Sequence, residues 1–342
     1  MLLLFTILSL ALSGVQKTLS RSFASMRGVF VGSGSEGLQQ PEVIDQIVSL
    51  TKKENSEDIT VLYIGTATYD LAPPQHAQTH KFSERGCNVD SLTVSKSSDR
   101  DEMAAKVDKA DVIVVSGGNT LYAIDLWEVN GLASILRDCA QRDGAVLCGG
   151  SAGAICWFTA GHSDSGDPAT YREAMIAEYT AKEGEKKDES SDFTGEKKPW
   201  SYVHVPCLGI LGGLVCPHFD KTQSNGILRA HDFDTMMLRH QKELGICIDH
   251  FAAIVLNGDA SYSILSLTGR PGSVLPDGTF SEDRQGKPGV WTKRVQADDN
   301  TIVTQLVPFE GGQVADLVAL TPQEDIVEDA RLDAIRIENP IM

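Results

Sequence analysis

The stretch AVLCGGSAGAICWF, residues 145–158, places one serine between glycines directly after a short apolar run. Residues 149–153 fit the pattern G-x-S-x-G, in which small neighbours let a strained serine turn lie close to the helix that follows. A structural turn needs one or two such glycines, whereas a nucleophile on a strand-to-helix turn uses all of them. The stretch therefore predicts a buried strand, a sharp turn at Ser151 and a helix that begins near Ala152.

The same order of strand, turn and helix recurs along the chain. Strand-like runs include GVFVGSG (28–34), ITVLYIGTAT (59–68) and DVIVVSGGNT (111–120), and each is followed by a helical pattern. Strands that alternate with helices predict an α/β fold with a mostly parallel sheet flanked by helices. Ligand sites in such sheets lie at the carboxyl ends of strands, where SGGNT (116–120) and GGSAG (149–153) both fall.

The first 25 residues differ in composition from the rest of the chain. The apolar run LLLFTILSLALSG is followed by Lys17 and Arg21 among serines, and no acidic residue occurs before Glu36. This mixture predicts a cleaved targeting segment over residues 1–25, either a secretory signal or a transit peptide for a mitochondrion or plastid.

The remaining chain predicts one catalytic domain over residues 26–325. Within it, residues 178–201 combine mixed charge with glycine and serine, which is typical of an exposed loop. After residue 250, short β-type runs separated by turns predict a β-rich C-terminal edge of the sheet. Residues 326–342 predict an acidic C-terminal tail, either a docked helix or a loose end.

Charge and cysteine content narrow the class of protein. The formal net charge of −17 argues against a nucleic-acid partner, because binding the phosphate backbone requires clustered lysine and arginine. The seven cysteines include neither a CxxC pair nor a metal-ligand spacing with histidine, so we expect reduced structural cysteines.

A serine at its ordinary pKa is a weak nucleophile and requires a base. Of the eight histidines, His218 in LGILGGLVCPHFD ends an apolar, glycine-broken run, where a histidine could share the sheet edge of Ser151. A hydrogen-bonded histidine in a structural turn is the competing interpretation. An acid should orient the base. Asp164, Asp220 and Asp249 are the candidates. Asp220 lies too close in sequence to reach the far ring nitrogen, and the pattern does not choose between the other two.

The two glycine turns could bind an oxyanion together. A helix that begins near Ala152 directs backbone N–H groups toward a developing oxyanion. Gly117 and Gly118 end the strand run that precedes the nucleophile's strand, so a second N–H could come from this neighbouring loop.

Taken together, SGGNTLYAIDLW, CGGSAGAICWFTAGHSDS and LGILGGLVCPHFD resemble the peptidase E (aspartyl dipeptidase) and cyanophycinase family of serine peptidases. The resemblance extends in order from about residue 26 to residue 265. It implies a class I glutamine amidotransferase-like α/β fold. The site residues that it implies are the nucleophile Ser151, the base His218, and the oxyanion-hole N–H groups of Gly118 and Ala152.

The chain departs from the family pattern at two places. The resemblance puts the third catalytic residue either on Asp164 or in GICIDHFAAI (245–254), where His250 stands in the place of the acid with Asp249 beside it. We therefore predict Asp164 as the third residue, with Asp249 in reserve. The second departure concerns substrate recognition. Peptidase E recognises an N-terminal aspartate with an arginine that follows the histidine. Arg229 is the only arginine in the corresponding stretch of this chain, and it does not clearly match that position.

Together these observations predict a serine exopeptidase that hydrolyses short peptides, with N-terminal aspartate as one candidate, through an acyl-enzyme. Asn119 and Arg229 are the predicted substrate contacts, and neither a metal nor an organic cofactor is implied. The expected partner is a short peptide, with no nucleic acid, no membrane for the mature form, and a homodimer left open.

Three alternatives stay open at this point. Cleavage of β-linked aspartyl peptides, as by cyanophycinase, is one, and an esterase or lipase that uses the same serine turn is another. A catalytically impaired protein that binds peptides or partner proteins is the third, and His250 at the acid's place favours it. A glutamine amidotransferase is disfavoured, because Cys148 and Cys156 lie off the turn.

Overall fold

The structure is a computed structural model that describes residues 25–96, 99–142, 144–181, 195–318 and 326–341. The predicted targeting segment therefore lies, except for its last residue, outside the described residues, and so does the middle of the predicted loop 178–201. Among the described residues, no helix combines the length and the apolar composition needed to cross a membrane.

The described residues form fourteen strands, eleven α-helices and three short 3-10 helices. The strands are β1 (Arg27–Val31), β2 (Thr60–Ile64), β3 (Asn88–Leu92), β4 (Val112–Val115), β5 (Val146–Gly150), β6 (Phe158–Ser163), β7 (Val203–Pro206), β8 (Leu211–Cys216), β9 (Gly245–Ile248), β10 (Ala252–Asn257), β11 (Ser261–Ser266), β12 (Val290–Val295), β13 (Ile302–Leu306) and β14 (Gly312–Gln313). The helices are α1 (Ser35–Leu38), α2 (Pro41–Leu50), α3 (Ala72–Glu84), α4 (Arg100–Lys109), α5 (Thr120–Asn130), α6 (Leu132–Ala140), α7 (Ala152–Ile155), α8 (Arg172–Ala181), α9 (Arg229–Arg239), α10 (Val314–Leu317) and α11 (Leu332–Glu338).

The first sheet has the strand order β14-β11-β10-β1-β5-β4-β2-β3. Strands β1, β5, β4, β2 and β3 run parallel, and β10, β11 and β14 extend the sheet in antiparallel pairs. Successive side chains of a strand point to opposite faces. Val146 and Cys148 of β5 accordingly belong to one apolar cluster and Leu147 to another, so the central strands are buried on both faces.

The second sheet has the order β13-β12-β9-β8-β6-β7. The chain leaves the first sheet after β5, runs through α7 and enters the second sheet at β6, and it returns between β9 and β10. Ser151 lies in the first crossing and His250 in the second. His218 follows β8, and its backbone N–H donates to the Gly32 carbonyl oxygen at 3.0 Å, which ties the second sheet to the first.

The predicted α/β class with a β-rich C-terminal edge is confirmed. The structure divides the sheet in two and places parallel pairs in the centre of each. Strands β10 and β11, like β12 and β13, are joined by short turns and pair antiparallel, because a parallel pair needs a long crossover connection.

The C-terminal residues include a docked helix. Leu332 and Ile335 of α11 pack against Val203 and Val205 of β7. The ends of the predicted loop 178–201 are also ordered within the fold, because α8 continues to Ala181 and Trp200 is buried.

Candidate active site

Ser151 occupies a strained turn at the carboxyl end of β5. Its backbone has φ 55° and ψ −120°, a conformation that residues with a side chain rarely adopt. The flanking glycines allow the turn to sit between neighbouring strand ends. A side chain on Gly150 would collide with the Ser33 carbonyl oxygen beyond β1, and one on Gly153 would collide with the Val115 carbonyl oxygen at the end of β4. The glycines around the serine therefore serve close backbone approach.

The structure brings Ser151 and His218 together, as the sequence predicts. His218 Nε2 lies 2.9 Å from Ser151 Oγ. The histidine also has a positive φ of 49°, at the turn where the chain leaves β8. The two residues come from different sheets and meet at the edge where β5 and β8 both end.

The loop after β4 lies beside the serine, as the oxyanion-hole prediction requires. A Cβ atom built on Gly117 would lie 3.7 Å from Ser151 Cβ. Gly118 has φ 121°, and a side chain there would strike the Ala67 carbonyl oxygen. Ala152 is the first residue of α7. In the described part of the chain, no group accepts a hydrogen bond from the Gly118 or Ala152 N–H, so both donors are available.

Neither predicted aspartate contacts His218, and both predictions for the third residue are corrected here. Asp164 Oδ2 lies 3.4 Å from Gln223 Nε2 and 3.8 Å from an Arg229 nitrogen. The fully buried Asp249 carboxylate accepts hydrogen bonds from the N–H of Ser273 and of Gly289, each at 2.9 Å. The backbone after β9 turns so that Asp249 points toward these two loops and its neighbour His250 points toward His218.

A second histidine and a glutamate extend the serine–histidine pair. His218 Nδ1 lies 2.7 Å from His250 Nδ1, and His250 Nε2 lies 2.7 Å from Glu36 Oε2. Glu36 belongs to α1, which begins at the carboxyl end of β1, the neighbour of β5. Sequence reasoning missed this residue. The signal that could have found it is a carboxylate just beyond the end of a strand-like run.

The surroundings of both imidazoles lower their pKa and so favour the neutral forms. Burial, followed by the charges of His250, Arg229 and Lys221, holds the pKa of His218 well below its usual range. Burial also lowers the pKa of His250, although the hydrogen bond to Glu36 and the charge of Asp220 oppose this shift. A neutral His218 has a free ring nitrogen and can accept a proton.

The two predicted substrate contacts are occupied inside the protein. Asn119 is fully buried, where its Oδ1 accepts the Tyr122 N–H at 3.0 Å and caps α5, and its Nδ2 donates to Thr170 Oγ1 at 2.9 Å. Arg229 is also fully buried. It donates to Gln223 Oε1 at 2.9 Å and to the ring and carbonyl oxygen of His162. Both side chains therefore have hydrogen-bond partners inside the protein, and their substrate-binding role stays a prediction.

All seven cysteines are free thiols. Cys148 and Cys156 are fully buried, and burial raises the pKa of both, so neither presents a thiolate at the serine turn.

His204, His240 and Glu243 form the one group of metal-type ligands among the described residues. The two imidazole rings stack with centroids 3.9 Å apart and planes 6° apart. His204 Nε2 and His240 Nδ1 lie 2.8 and 3.4 Å from the same Glu243 carboxylate oxygen.

Comparison with known proteins defines the class to which this fold and site belong. The chain belongs to peptidase family S51, whose family model matches residues 29–264. This match confirms the resemblance to peptidase E and its relatives, and family membership supports a peptidase.

Two individual proteins share just under 30% sequence identity with this chain. The chain is 29% identical over 266 residues to a Trypanosoma brucei brucei protein described as G2/mitotic-specific cyclin-1, a match that covers 72% of this chain and 77% of that protein. It is 28% identical over 195 residues to the uncharacterized peptidase YgaJ of Bacillus subtilis (strain 168), covering 57% and 70% respectively. These two descriptions differ, and the assignment of this chain rests on the family model.

Two solved structures are also similar. A peptidase from an acI-B1 Actinobacterium is 17% identical with a TM-score of 0.48, and the match covers 82% of this chain and 96% of that one. A Listeria monocytogenes EGD-e structure described as a "Putative Peptidase E Protein" is 16% identical with a TM-score of 0.47, covering 71% and 99%.

Proposed function

We propose that this chain is a serine-type peptidase in which Ser151 attacks the scissile carbonyl of a short peptide and His218 is the general base. The observation that carries the proposal is the 2.9 Å contact between Ser151 Oγ and His218 Nε2, made by a serine whose φ is 55°. A positive φ at a residue with a side chain is strained, and such strain persists where the surrounding structure enforces it, as at nucleophile turns.

The reaction would run through an acyl-enzyme. As the bond between Ser151 Oγ and the carbonyl carbon forms, the hydroxyl proton moves to His218 Nε2 and the carbonyl oxygen becomes an oxyanion. The N–H groups of Gly118 and Ala152 would stabilise that oxyanion. The C–N bond then breaks and His218 gives its proton to the leaving amine. Water attacks the ester with the same base, which releases the acid product and restores the hydroxyl.

The accessibility of the nucleophile supports a short substrate. Ser151 is only 9% exposed, because the loops after β1, β4 and β8 converge around it. Low exposure of this kind favours a dipeptide or a free chain end over an internal segment of a folded protein. An exopeptidase of dipeptidase type therefore fits the site best.

Selectivity for an N-terminal aspartate needs a different recognition group from the one that the sequence indicates. Binding a substrate carboxylate through Arg229 would require this buried guanidinium to leave Gln223 and His162. Breaking buried charge-assisted contacts costs about 3 kcal/mol, which a single substrate carboxylate would offset only in part. We therefore expect turnover of peptides beyond those that begin with aspartate.

The test is hydrolysis of a dipeptide panel by the full-length chain. The panel contains dipeptides that begin with Asp, Glu, Ala or Arg, and one β-linked aspartyl dipeptide. Ser151→Ala should abolish turnover, and Ser49→Ala, at an exposed serine of α2, should leave it unchanged. A fluorophosphonate probe followed by peptide mass spectrometry should label Ser151. Turnover that persists in Ser151→Ala, or no turnover of any peptide, would contradict the proposal.

A further inference from the structure

A continuous row of hydrogen-bonding groups runs from the nucleophile to a carboxylate of another element. Its three links are Ser151 Oγ to His218 Nε2 at 2.9 Å, His218 Nδ1 to His250 Nδ1 at 2.7 Å, and His250 Nε2 to Glu36 Oε2 at 2.7 Å. Glu36 is 214 residues from His250 in the chain and contacts it directly only because β1 and β10 are paired. No carboxylate in the described residues contacts the His218 ring itself.

The position of each proton in this row follows from hydrogen-bond chemistry. A neutral imidazole has one N–H and one lone pair. If His218 is to accept the serine proton at Nε2, its own proton is on Nδ1 and donates to His250 Nδ1. His250 must then carry its proton on Nε2, where it donates to the Glu36 carboxylate. Every link has one donor and one acceptor.

The opposite set of tautomers fails at both ends. A proton on His250 Nδ1 would leave its Nε2 lone pair facing Glu36, so that two acceptors would oppose each other at 2.7 Å. It would also force His218 to carry its proton on Nε2, where it could donate to Ser151 but not accept from it. The Glu36 carboxylate, which accepts only, therefore selects the tautomers of both rings.

Buried groups hold His250 in this position. Its side chain is 2% exposed, and its backbone N–H donates to Asp220 Oδ1 at 2.7 Å. Asp220 is in turn paired with Arg284 at 2.8 Å. The Phe251 ring packs against the imidazole at 4.5 Å with its plane at 85°. Such support is needed for a histidine that must present one particular edge to each of two partners.

We infer that His250 and Glu36 together replace the single acid that a serine–histidine pair ordinarily uses, and that they are positioning residues for His218. This Glu36–His250 relay rests on the proposed function. It also explains how a site with histidine at the acid's place can remain a working peptidase, since the carboxylate acts from one residue further away.

The kinetic test combines Glu36→Gln with His250→Asn. Glu36→Gln keeps an acceptor oxygen and removes the charge, so we expect kcat to fall about tenfold with KM nearly unchanged. His250→Asn keeps an acceptor near His218 Nδ1 and breaks the link to Glu36, and should lower kcat about a hundredfold. In the His250→Asn background, Glu36→Gln should change kcat by less than about twofold, because the contact that couples them is gone.

The pH profile separates positioning from a merely structural role. Removing the Glu36 charge makes protonation of His218 harder, so the acid limb of kcat/KM should move to lower pH. The other charged groups near the pair are Arg229, Lys221 and Arg284, which lower the pKa of His218, and Asp220 and Lys221, which raise and lower that of His250. The variant leaves them in place. Glu42→Gln, the same change at an exposed residue of α2, should move nothing.

Nitrogen NMR of ¹⁵N-histidine tests the tautomers without turnover. We expect His218 protonated on Nδ1 and His250 on Nε2 at pH 7, and we expect Glu36→Ala to abolish the His250 preference. A His250 proton on Nδ1 would overturn the relay. So would activity that depends on Ser151 but is unaltered in both Glu36→Gln and His250→Asn. If the native chain showed no turnover that depends on Ser151, the proposed function itself would be contradicted.

Discussion

Two buried histidines of this protein have nearly the same partner and different surroundings. His250 Nε2 lies 2.7 Å from Glu36, and His162 Nε2 lies 2.8 Å from Asp232. At the other ring nitrogen, His250 faces His218, whereas His162 faces the Arg229 Nε–H at 3.2 Å. The third group differs in chemistry, because arginine is always a donor and never a base.

That third group decides what a histidine–carboxylate pair does. Arg229 ends its row of hydrogen bonds, and Tyr202 stacks on the His162 ring at 4.2 Å, so this pair can only hold the second sheet to α9. His218 continues the other row to the hydroxyl of Ser151. Substitutions in the His162–Asp232 pair should therefore lower stability, whereas substitutions in the His250–Glu36 pair should lower activity.

The largest effect on stability should come from removing the guanidinium of Arg229, the last group of the hydrogen-bonded row through His162. Arg229→Met would leave Gln223 Oε1 and the His162 carbonyl oxygen without a buried donor, so we expect a loss of about 3 kcal/mol in the free energy of unfolding. Urea denaturation followed by circular dichroism measures it. Unchanged stability with a raised KM for aspartyl dipeptides alone would instead make Arg229 a substrate contact.

A smaller effect should appear when the pH is lowered. Burial lowers the pKa of His162 to about 3 from the ordinary value of 6.5, so the unfolded chain binds a proton below pH 6.5 that the folded chain does not. The free energy of unfolding should therefore decrease as the pH is lowered. For this histidine the decrease between pH 6.5 and pH 5 is about 2 kcal/mol.

Urea unfolding at pH 6.5 and at pH 5 should show this decrease in the free energy of unfolding. In His162→Phe the decrease should be smaller by about 2 kcal/mol, which is the contribution of His162. His231→Phe, at a histidine whose side chain is 55% exposed, is the matched control and should keep the full dependence. An equal dependence in His162→Phe and the native chain would show that His162 is already charged in the fold.

The smallest effects come from neutralising each carboxylate and distinguish the two pairs directly. Asp232→Asn should lower stability by about 1 kcal/mol and leave kcat within twofold. Glu36 is 23% exposed at its side chain, so Glu36→Gln should change stability by less than about 0.5 kcal/mol while it lowers kcat. The free energy of unfolding and kcat should be measured on the same preparations of each variant. If both variants lost only stability, or both lost only activity, the distinction between the two pairs would be wrong.

The positions of Ser151 and His218 could be predicted because each has a local signal. Ser151 lies in a glycine cluster after a buried run, and His218 ends another such run. In a sheet with parallel central strands, residues just past strand ends gather at one edge. The contact between Ser151 and His218 follows from that rule, although the division into two sheets, which brings β8 to this edge, has no local signal.

The carboxylate at the end of this row could not be predicted in the same way. Asp164, Asp249 and His250 all lie near strand ends, and which of them faces His218 depends on the rotation of the turn after β9. That rotation is set by Asp249, which accepts from Ser273 and Gly289, residues 24 and 40 positions further along the chain. A pattern read over a few residues contains no information on such contacts.

Local sequence thus determined the α/β alternation, the serine turn and the histidine that meets it, because hydrophobic period and backbone strain act over a few neighbouring residues. The tertiary structure decided that Arg229 and Asn119 are held inside the fold, and that the carboxylate beside His250 is that of Glu36. Those outcomes depend on the pairing of β1 with β10 and on the packing of the two sheets, which place side chains more than two hundred residues apart within 2.7 Å of each other.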